Sequence, residues 1–183
     1  MRKKPEGWTN QDYHRHYLYL DISQRVKKTD SLLEIGCGNG NGPAHMGPPL
    51  LAEKAKRYLA IDKKRYKGHH PFRFVRGDFV TRYLMSKVAF VKYDKIVALY
   101  VIAYVQPVKF FKRISRILKP GGTAYFSEGM AWQRGESRLT PEKLYALAER
   151  DLGEAFRNVE IIGIENGILV DEIKTGVFLI ASN

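Results

Sequence analysis

The sequence predicts an α/β fold in which a mostly parallel sheet is covered by helices. Short β-rich runs alternate along the chain with helical stretches, as they do in parallel sheets with covering helices. A glycine-rich turn over residues 36–40 follows the first apolar run directly. The last two strand-like runs, 159–164 and 176–181, have no convincing helix between them and should pair antiparallel. The prediction is therefore five parallel strands and a terminal hairpin.

Local signals assign the elements in order. A helix is predicted over residues 10–28, where Thr9 can act as N-cap and Asp12 stands three residues further on. A second helix is predicted over 107–118 from apolar residues at helical spacing, and a third runs from Thr140 to about residue 151. The parallel strands are predicted at 31–35, 58–61, 72–76, 95–101 and 123–127.

Length and composition indicate one globular domain. The chain has 183 residues, of which 44% are apolar and 27% charged, so collagen, disordered and disulfide-scaffold classes are excluded. The single cysteine, Cys37, cannot form an intramolecular disulfide, and no apolar run approaches the roughly 20 residues of a membrane span. The basic N-terminus is not followed by an apolar signal core. We therefore expect a reducing, cytoplasmic setting without a membrane.

The positive charge is concentrated in one stretch. The net charge is +12, and residues 54–95 hold thirteen basic but three acidic residues. Such a density could meet phosphate backbones or an acidic partner, and it could equally form a solvated face. Both interpretations stay open at this point.

The glycine-rich turn indicates a ligand site. Glycines at 36, 38 and 40 let the backbone approach a ligand closely, because side chains there would block it. A dinucleotide fingerprint would need a third glycine at position 41, which is Asn41, and this argues against a simple NAD enzyme.

Two acidic residues follow at the ends of later strands. Asp62 ends the second strand, where a carboxylate can accept hydrogen bonds from ribose hydroxyls. Asp78 ends the third strand, where it can meet an adenine amino group while Phe79 flanks the ring. The carboxyl ends of strands are the edge at which open α/β sheets bind ligands.

These features resemble the class I S-adenosylmethionine-dependent methyltransferases, and among them the small type-11-like methyltransferase domains. The resemblance covers roughly residues 31–182 and is carried by five segments in order: LEIGCGNG at 33–40, Asp62, GDF at 77–79, YDKIV at 93–97 and RILKPGG at 116–122. It implies a Rossmann-like seven-stranded sheet of order 3-2-1-4-5-7-6 with strand 7 antiparallel and helices on both faces. It also implies a single methyltransferase domain over 1–183, with a helical extension over 1–30 and the core over 31–183.

The resemblance also implies the cofactor, S-adenosylmethionine, and its contacts. The methionine end would be held by Glu34, Gly36, Cys37, Gly38, Asn39 and Gly40; the ribose by Asp62 beside Lys63; the adenine by Asp78 and Phe79; and the sulfonium side by Leu99 and Tyr100. One segment departs from the family, because Pro43, Gly47, Pro48 and Pro49 are expected to interrupt any helix until about Leu50.

The acceptor is less well marked. Methyl transfer needs positioning more than a particular catalytic residue, so none is assigned. Methylation of pyrimidine carbon 5 needs a cysteine nucleophile, and Cys37 lies inside the glycine turn. Segment 99–104 carries neither the Asn/Asp-Pro-Pro-aromatic motif of amino methyltransferases nor a histidine base. Tyr104, Glu128 and Trp132 are the predicted acceptor contacts.

The sequence thus predicts methyl transfer to an N or O acceptor of a small molecule. One alternative is RNA methylation, with the basic 54–95 stretch flanking the active site, and another is a noncatalytic cofactor-binding scaffold. His14 and His16 do not share a helix face and His69-His70 is an equally weak metal signal, so no metal is predicted. The sequence predicts no oligomeric state.

Overall fold

The computed structural model describes residues 5–38, 47–67, 72–79, 91–129, 139–165, 168–172 and 175–183. The elements are α1 (Asn10–Arg25), β1 (Ser31–Ile35), α2 (Gly47–Lys54), β2 (Arg57–Asp62), β3 (Arg73–Arg76), β4 (Tyr93–Leu99), a 3₁₀ helix (Ile102–Tyr104), α3 (Pro107–Ile117), β5 (Leu118–Glu128), α4 (Pro141–Gly153), β6 (Asn158–Glu165), β7 (Ile168–Val170) and β8 (Gly176–Ser182). Among these residues, no helix is both long and apolar enough to cross a membrane.

The strands of the described ranges form one eight-stranded sheet of order β3-β2-β1-β4-β5-β8-β6-β7. The first five strands in this order pair in parallel, and β8 runs antiparallel to β5 and to β6. The α/β class, the parallel half and the antiparallel end of the predicted sheet are therefore confirmed.

The predicted count of seven strands was one too low. The additional strand, β7, pairs antiparallel with β6 at the outer edge of the sheet, with Glu165 opposite Ile168. Asn166 and Gly167 separate the two strands in the sequence, and Asn-Gly is the dipeptide most typical of a two-residue hairpin turn. The sequence therefore held a signal for this strand.

Side chains alternate between the two faces of the sheet. Leu32 packs in a core layer with Tyr19 and Leu51, on the face covered by α1 and α2. Leu33, the next residue, packs in the opposite layer with Phe111 of α3 and Leu144 of α4. Helices thus cover both faces, as predicted, and the carboxyl ends of the parallel strands lie between the two layers.

The N-terminal helix begins as predicted, with a capping box. The Thr9 hydroxyl accepts from the Asp12 backbone N–H, and the Asp12 carboxylate accepts from the Thr9 N–H. The helix ends at Arg25 rather than at residue 28.

The expected interruption of the helix up to Leu50 was wrong. Helix α2 begins at Gly47, and Pro48 and Pro49 stand in its first turn, where a helix does not need their missing N–H groups. A Cβ on Gly47 would lie 2.1 Å from the ring of Tyr19. Glycine is thus required here because α2 approaches α1 too closely for a side chain.

Candidate active site

A cavity of about 430 Å³ lies at the carboxyl ends of the parallel strands. Strands β1, β2 and β4 contribute their last residues to its wall, together with the segments that follow β1, β2, β3 and β4. Its lining residues are Arg15, Ile35, Gly36, Gly38, Ile61, Asp62, Lys63, Lys64, Gly77, Asp78, Phe79, Leu99, Tyr100, Val101, Tyr104, Val105 and Phe110. This is the edge at which the sequence predicted a ligand.

The glycine turn after β1 is built for close approach. Gly36 has φ +73°, and a Cβ on it would lie 2.4 Å from Cγ2 of Val101, the second residue after β4. Gly38 has φ +85°, again in the left-handed region that disfavours residues with a side chain. Both glycines line the cavity, so the turn offers backbone rather than side chains to a ligand.

Asp62, the last residue of β2, ties this turn to its own strand end. One carboxylate oxygen accepts from the Gly38 N–H at 2.8 Å, and the other accepts from the Lys64 N–H at 2.8 Å. A carboxylate has about four lone-pair sites, so each oxygen can still accept from a ligand. Asp62 is half-buried in the cavity wall, and its position there suits a ligand with hydroxyl donors.

The segment after β3 supplies a carboxylate and a ring. The Lys63 ammonium lies 2.9 Å from an Asp78 carboxylate oxygen, an ion pair whose lysine is largely exposed. Phe79 is 3% exposed and meets the ring of Phe110 edge-on, with the ring centroids 5.8 Å apart. This end of the cavity therefore combines an apolar surface with an acceptor group.

Behind the glycine turn lies a buried polar network centred on Glu34. The Glu34 carboxylate is 1% exposed and accepts hydrogen bonds from the hydroxyls of Tyr19 and Tyr58. Burial raises its pKa, although Arg15 and the two hydroxyls act in the opposite direction. Glu34 is not among the residues that line the cavity, and it meets the turn through its neighbours.

Arg15 of α1 connects this network to the cavity. Its Nη2 donates to the Gly36 carbonyl at 2.7 Å and to the Tyr19 hydroxyl at 3.0 Å, and it lies 3.7 Å from Glu34. Burial alone would lower the pKa of Arg15, but the interactions with Tyr19 and Glu34 together raise it. Arg15 therefore stays charged at the cavity wall.

The Cys37 side chain is buried in the core and does not face the cavity. Its side chain is 2% exposed and packs in the core layer with Leu32 and Tyr58, and it does not line the cavity. Burial raises the pKa of its thiol. A thiol of this kind is inert as a nucleophile, in agreement with the argument against a cysteine mechanism.

The residues predicted to contact an acceptor begin where β4 ends. Tyr100 has φ +57°, a left-handed conformation that is uncommon outside glycine, and its N–H donates to the Ser127 carbonyl at 2.9 Å. The 3₁₀ helix that follows carries Tyr104, which lines the cavity with 64% of its surface exposed. Tyr104 therefore places a largely exposed ring beside the cavity.

Glu128 holds this helix in place. One carboxylate oxygen accepts from the Ala103 N–H and the other from the Gly129 N–H, both at 3.0 Å. Glu128 is 6% exposed, and burial raises its pKa to about 7. It is not among the lining residues, so the carboxylate predicted to contact the acceptor instead binds the backbone beside Tyr104.

The structure brings most predicted site residues into one wall. Nine of them line the cavity, whereas Glu34, Cys37 and Glu128 are buried behind it. Asn39, Gly40 and Trp132 lie outside the described residues, as do Pro43, His45 and Met46. The lining residues that sequence reasoning missed are Arg15, Ile35, Ile61, Lys64, Gly77, Val101, Val105 and Phe110. Most of these residues lie at strand ends or in the segments that follow strands, and their positions in the sequence could have indicated them. Arg15 lies on a helix, where no local pattern indicated it.

The basic stretch reaches the cavity. Lys63 and Lys64 line it, which corrects the expectation that the stretch only flanks the site. Eight further cations of this stretch are exposed among the described residues: Lys54, Lys56, Arg57, Arg65, Lys67, Arg73, Arg76 and Lys92. Residues 63–65 therefore place positive charge at one rim of the cavity.

Several solved structures that share this fold are described as methyltransferases. A chain in the complex between the Trm112 methyltransferase activator of Haloferax volcanii and its proposed methyltransferase gives a TM-score of 0.65 at 16% identity, covering 94% of this chain and 90% of that one. A methyltransferase of Clostridium acetobutylicum, described as S-adenosylmethionine-dependent, gives 0.59 at 14% identity, covering 97% and 93%. The N-methyltransferase NodS of Bradyrhizobium japonicum gives 0.55 at 20% identity, covering 93% of each chain. These similarities support the fold.

Sequence comparison identifies the family. Sterol 24-C-methyltransferase of Saccharomyces cerevisiae is 28% identical over 154 residues, which cover 76% of this chain and 38% of that protein. The chain thus spans well under half the length of this curated relative. The family model for a methyltransferase domain matches residues 11–161. The chain therefore belongs to this methyltransferase-domain family, and its fold is the one that the resemblance to class I S-adenosylmethionine-dependent methyltransferases predicted.

Proposed function

We propose that this protein transfers a methyl group from S-adenosylmethionine to an N or O acceptor of a small molecule. The observation that carries the proposal is the cavity in which the Gly36–Gly38 turn, the Asp62 carboxylate and the Asp78–Phe79 pair share one wall. A ligand made of a nucleoside and an amino acid needs backbone that it can approach closely, an acceptor for its ribose hydroxyls and an apolar surface for its base. The glycine turn, Asp62 and the Asp78–Phe79 pair supply these in that order.

The residues present fit this cofactor. A Cβ at Gly36 would collide with Val101, so glycine is what lets the turn lie this close to the segment after β4 in the cavity wall. Asp62 keeps free acceptor sites for the ribose after binding two backbone N–H groups. Asp78 and Phe79 would meet the adenine, and the backbone near Leu99 and Tyr100 would border the sulfonium.

The chemistry follows from positioning. S-adenosylmethionine supplies, when bound, a methyl group that a nucleophilic N or O can take by in-line displacement. The chain contributes by orienting the acceptor and excluding water. Tyr104 and Val105 at the cavity mouth are placed for this, and Glu128 acts as a positioning residue by holding the Ala103 N–H beside them.

We infer further that residues 1–183 act as one domain, with the 1–30 extension completing the 31–183 core. Arg15 of α1 lines the cavity and donates to the Gly36 carbonyl, and Tyr19 donates to Glu34. The extension thus supplies part of the cofactor wall.

The first test is calorimetric titration of Asp62→Ala with S-adenosylmethionine and with its demethylated product. Loss of Asp62 removes the proposed ribose acceptor and frees the Gly38 N–H, so we expect affinity to fall at least about 100-fold, since hydrogen bonds to charged groups contribute about 1.5–3 kcal/mol each. Asp171→Ala, at an exposed carboxylate outside the cavity lining, is the matched control. Unchanged binding in Asp62→Ala would refute the assignment.

An RNA acceptor is the second candidate, and the exposed cations Lys63 and Lys64 in the cavity lining favour it. If RNA is the substrate, reversing Lys63, Lys64 and Arg65 to Glu should weaken RNA binding strongly and flatten its dependence on salt. Lys109, Lys143 and Arg116 are exposed and do not line the cavity, so their reversal is a control with the same change in charge. Equal effects of the two triple variants, measured by fluorescence anisotropy across a salt series, would exclude this candidate.

A further inference from the structure

The guanidinium of Arg15 has donors that no described residue uses. Its Nε and Nη2 donate to the Tyr19 hydroxyl, and Nη2 also donates to the Gly36 carbonyl. No hydrogen bond joins Nη1 to any residue that the structure describes. An arginine carries five N–H donors, so the two on Nη1 remain available.

Glu34 pairs with the charge of Arg15 but accepts no hydrogen bond from its Nη1. The tyrosine hydroxyls at 19 and 58 satisfy its two oxygens, and Arg15 stands 3.7 Å away, beyond hydrogen-bond distance. The guanidinium forms an ion pair with Glu34 at this distance, and its side chain is 14% exposed at the cavity wall.

The position of Nη1 indicates its partner. It lies 3.6 Å from the point where a Cβ on Gly38 would stand, and Arg15 and Gly38 both line the cavity. The free donors therefore stand at the glycine turn, the end of the cavity opposite to Asp78 and Phe79. A carboxylate is the group with which such charged N–H donors form strong hydrogen bonds.

We infer that Arg15 receives the α-carboxylate of the cofactor's amino-acid part, so that α1 gives this enzyme its selectivity for the intact amino-acid group. The inference rests on the proposed function and deepens it. It assigns to the N-terminal helix a ligand contact that the glycine turn by itself would not provide. In the absence of ligand, the same side chain ties α1 to the turn through the Gly36 carbonyl.

The test compares S-adenosylmethionine with its decarboxylated form, which differs by the carboxylate alone. Calorimetry should show that the wild-type protein prefers the intact cofactor by about 10- to 100-fold, the range expected for a charge-assisted pair of hydrogen bonds. In Arg15→Met this preference should disappear, while affinity for the decarboxylated form stays within about threefold. Arg15→Lys keeps the positive charge but loses the Nη1 donors, so it should keep part of the preference.

Arg25→Met, on the same helix but in an exposed pair with Asp21, is the control and should behave as the wild type. If Arg15 only ties α1 to the turn, Arg15→Met will weaken both ligands equally, and the inference is overturned. It is overturned as well if the wild type shows no preference, or if the preference survives in Arg15→Met. A wild-type protein that binds neither ligand would refute the proposed function itself.

Discussion

Two buried glutamates stand on opposite sides of the cavity and are satisfied in different ways. Glu34, behind the glycine turn, accepts from side-chain hydroxyls on α1 and β2. Glu128, at the end of β5, accepts from the backbone N–H groups of Ala103 and Gly129. Glu34 thus links two large buried side chains of the core, whereas Glu128 fixes the 3₁₀ helix and the residue that follows β5. The proposed cofactor side is therefore part of the core, whereas the proposed acceptor side is attached to the core through backbone hydrogen bonds.

The difference extends to the charge around each carboxylate. Glu34 has a cation, Arg15, 3.7 Å away, but the described neighbours of Glu128 offer it hydrogen bonds without an ion pair. Burial raises the pKa of both groups, and that of Glu128 reaches about 7. The acceptor side is thus the side whose protonation changes near neutral pH.

The largest expected effect is a pH dependence of stability that comes from Glu128. Because its folded-state pKa is raised, its contribution to the free energy of unfolding is fully present below about pH 4.5 and is lost as the pH rises through 7. Glu128→Gln removes this titration, so the stability of the variant relative to the wild type should rise by roughly 3 kcal/mol between pH 5 and pH 8. Urea unfolding of both proteins at pH 5 and pH 8 measures this change. A difference in free energy of unfolding that is the same at both pH values would contradict the account.

A smaller effect tests the contact between Gly36 in the glycine turn and Val101 in the segment after β4. Gly36 and Gly121 have nearly the same φ, +73° and +71°, but a Cβ at 36 would meet Val101 whereas one at 121 would meet nothing within 4 Å. Gly121→Ala should therefore cost about 1 kcal/mol for the left-handed backbone, and Gly36→Ala about 1–3 kcal/mol more for overpacking. Thermal unfolding of the two variants compares them. Equal costs would mean that Val101 moves freely and that the two sides are not coupled there.

Much of the fold followed from local patterns. The alternation of strands and helices placed the glycine turn, Asp62 and Asp78 at one edge of the sheet, because the carboxyl ends of parallel strands share that edge. Strand β1 has the predicted bounds, and α3 begins at the predicted Pro107. Helix α2 starts earlier than expected, since prolines that break a helix interior are accommodated in its first turn.

The site was predictable where its residues end strands and was not where distant elements meet. Arg15 reaches the Gly36 carbonyl from a helix 21 residues away in the chain, and no spacing rule indicates such a contact. Glu128 could be recognised as a strand-end carboxylate, but its binding of the Ala103 N–H depends on the pairing of β4 with β5. Sequence patterns predict which edge binds a ligand, and tertiary packing decides which side chains face it.

The central claim is that the two glutamates serve separate halves of the cavity. Calorimetric titration of Glu34→Gln and Glu128→Gln with the demethylated cofactor, at a pH where circular dichroism shows both variants folded, tests it most directly. Disturbing Glu34 should loosen Tyr19 and Arg15 and weaken binding about tenfold or more, whereas Glu128→Gln should bind within about twofold of the wild type. Equal losses in the two variants would show that the halves act as one unit and would contradict the account.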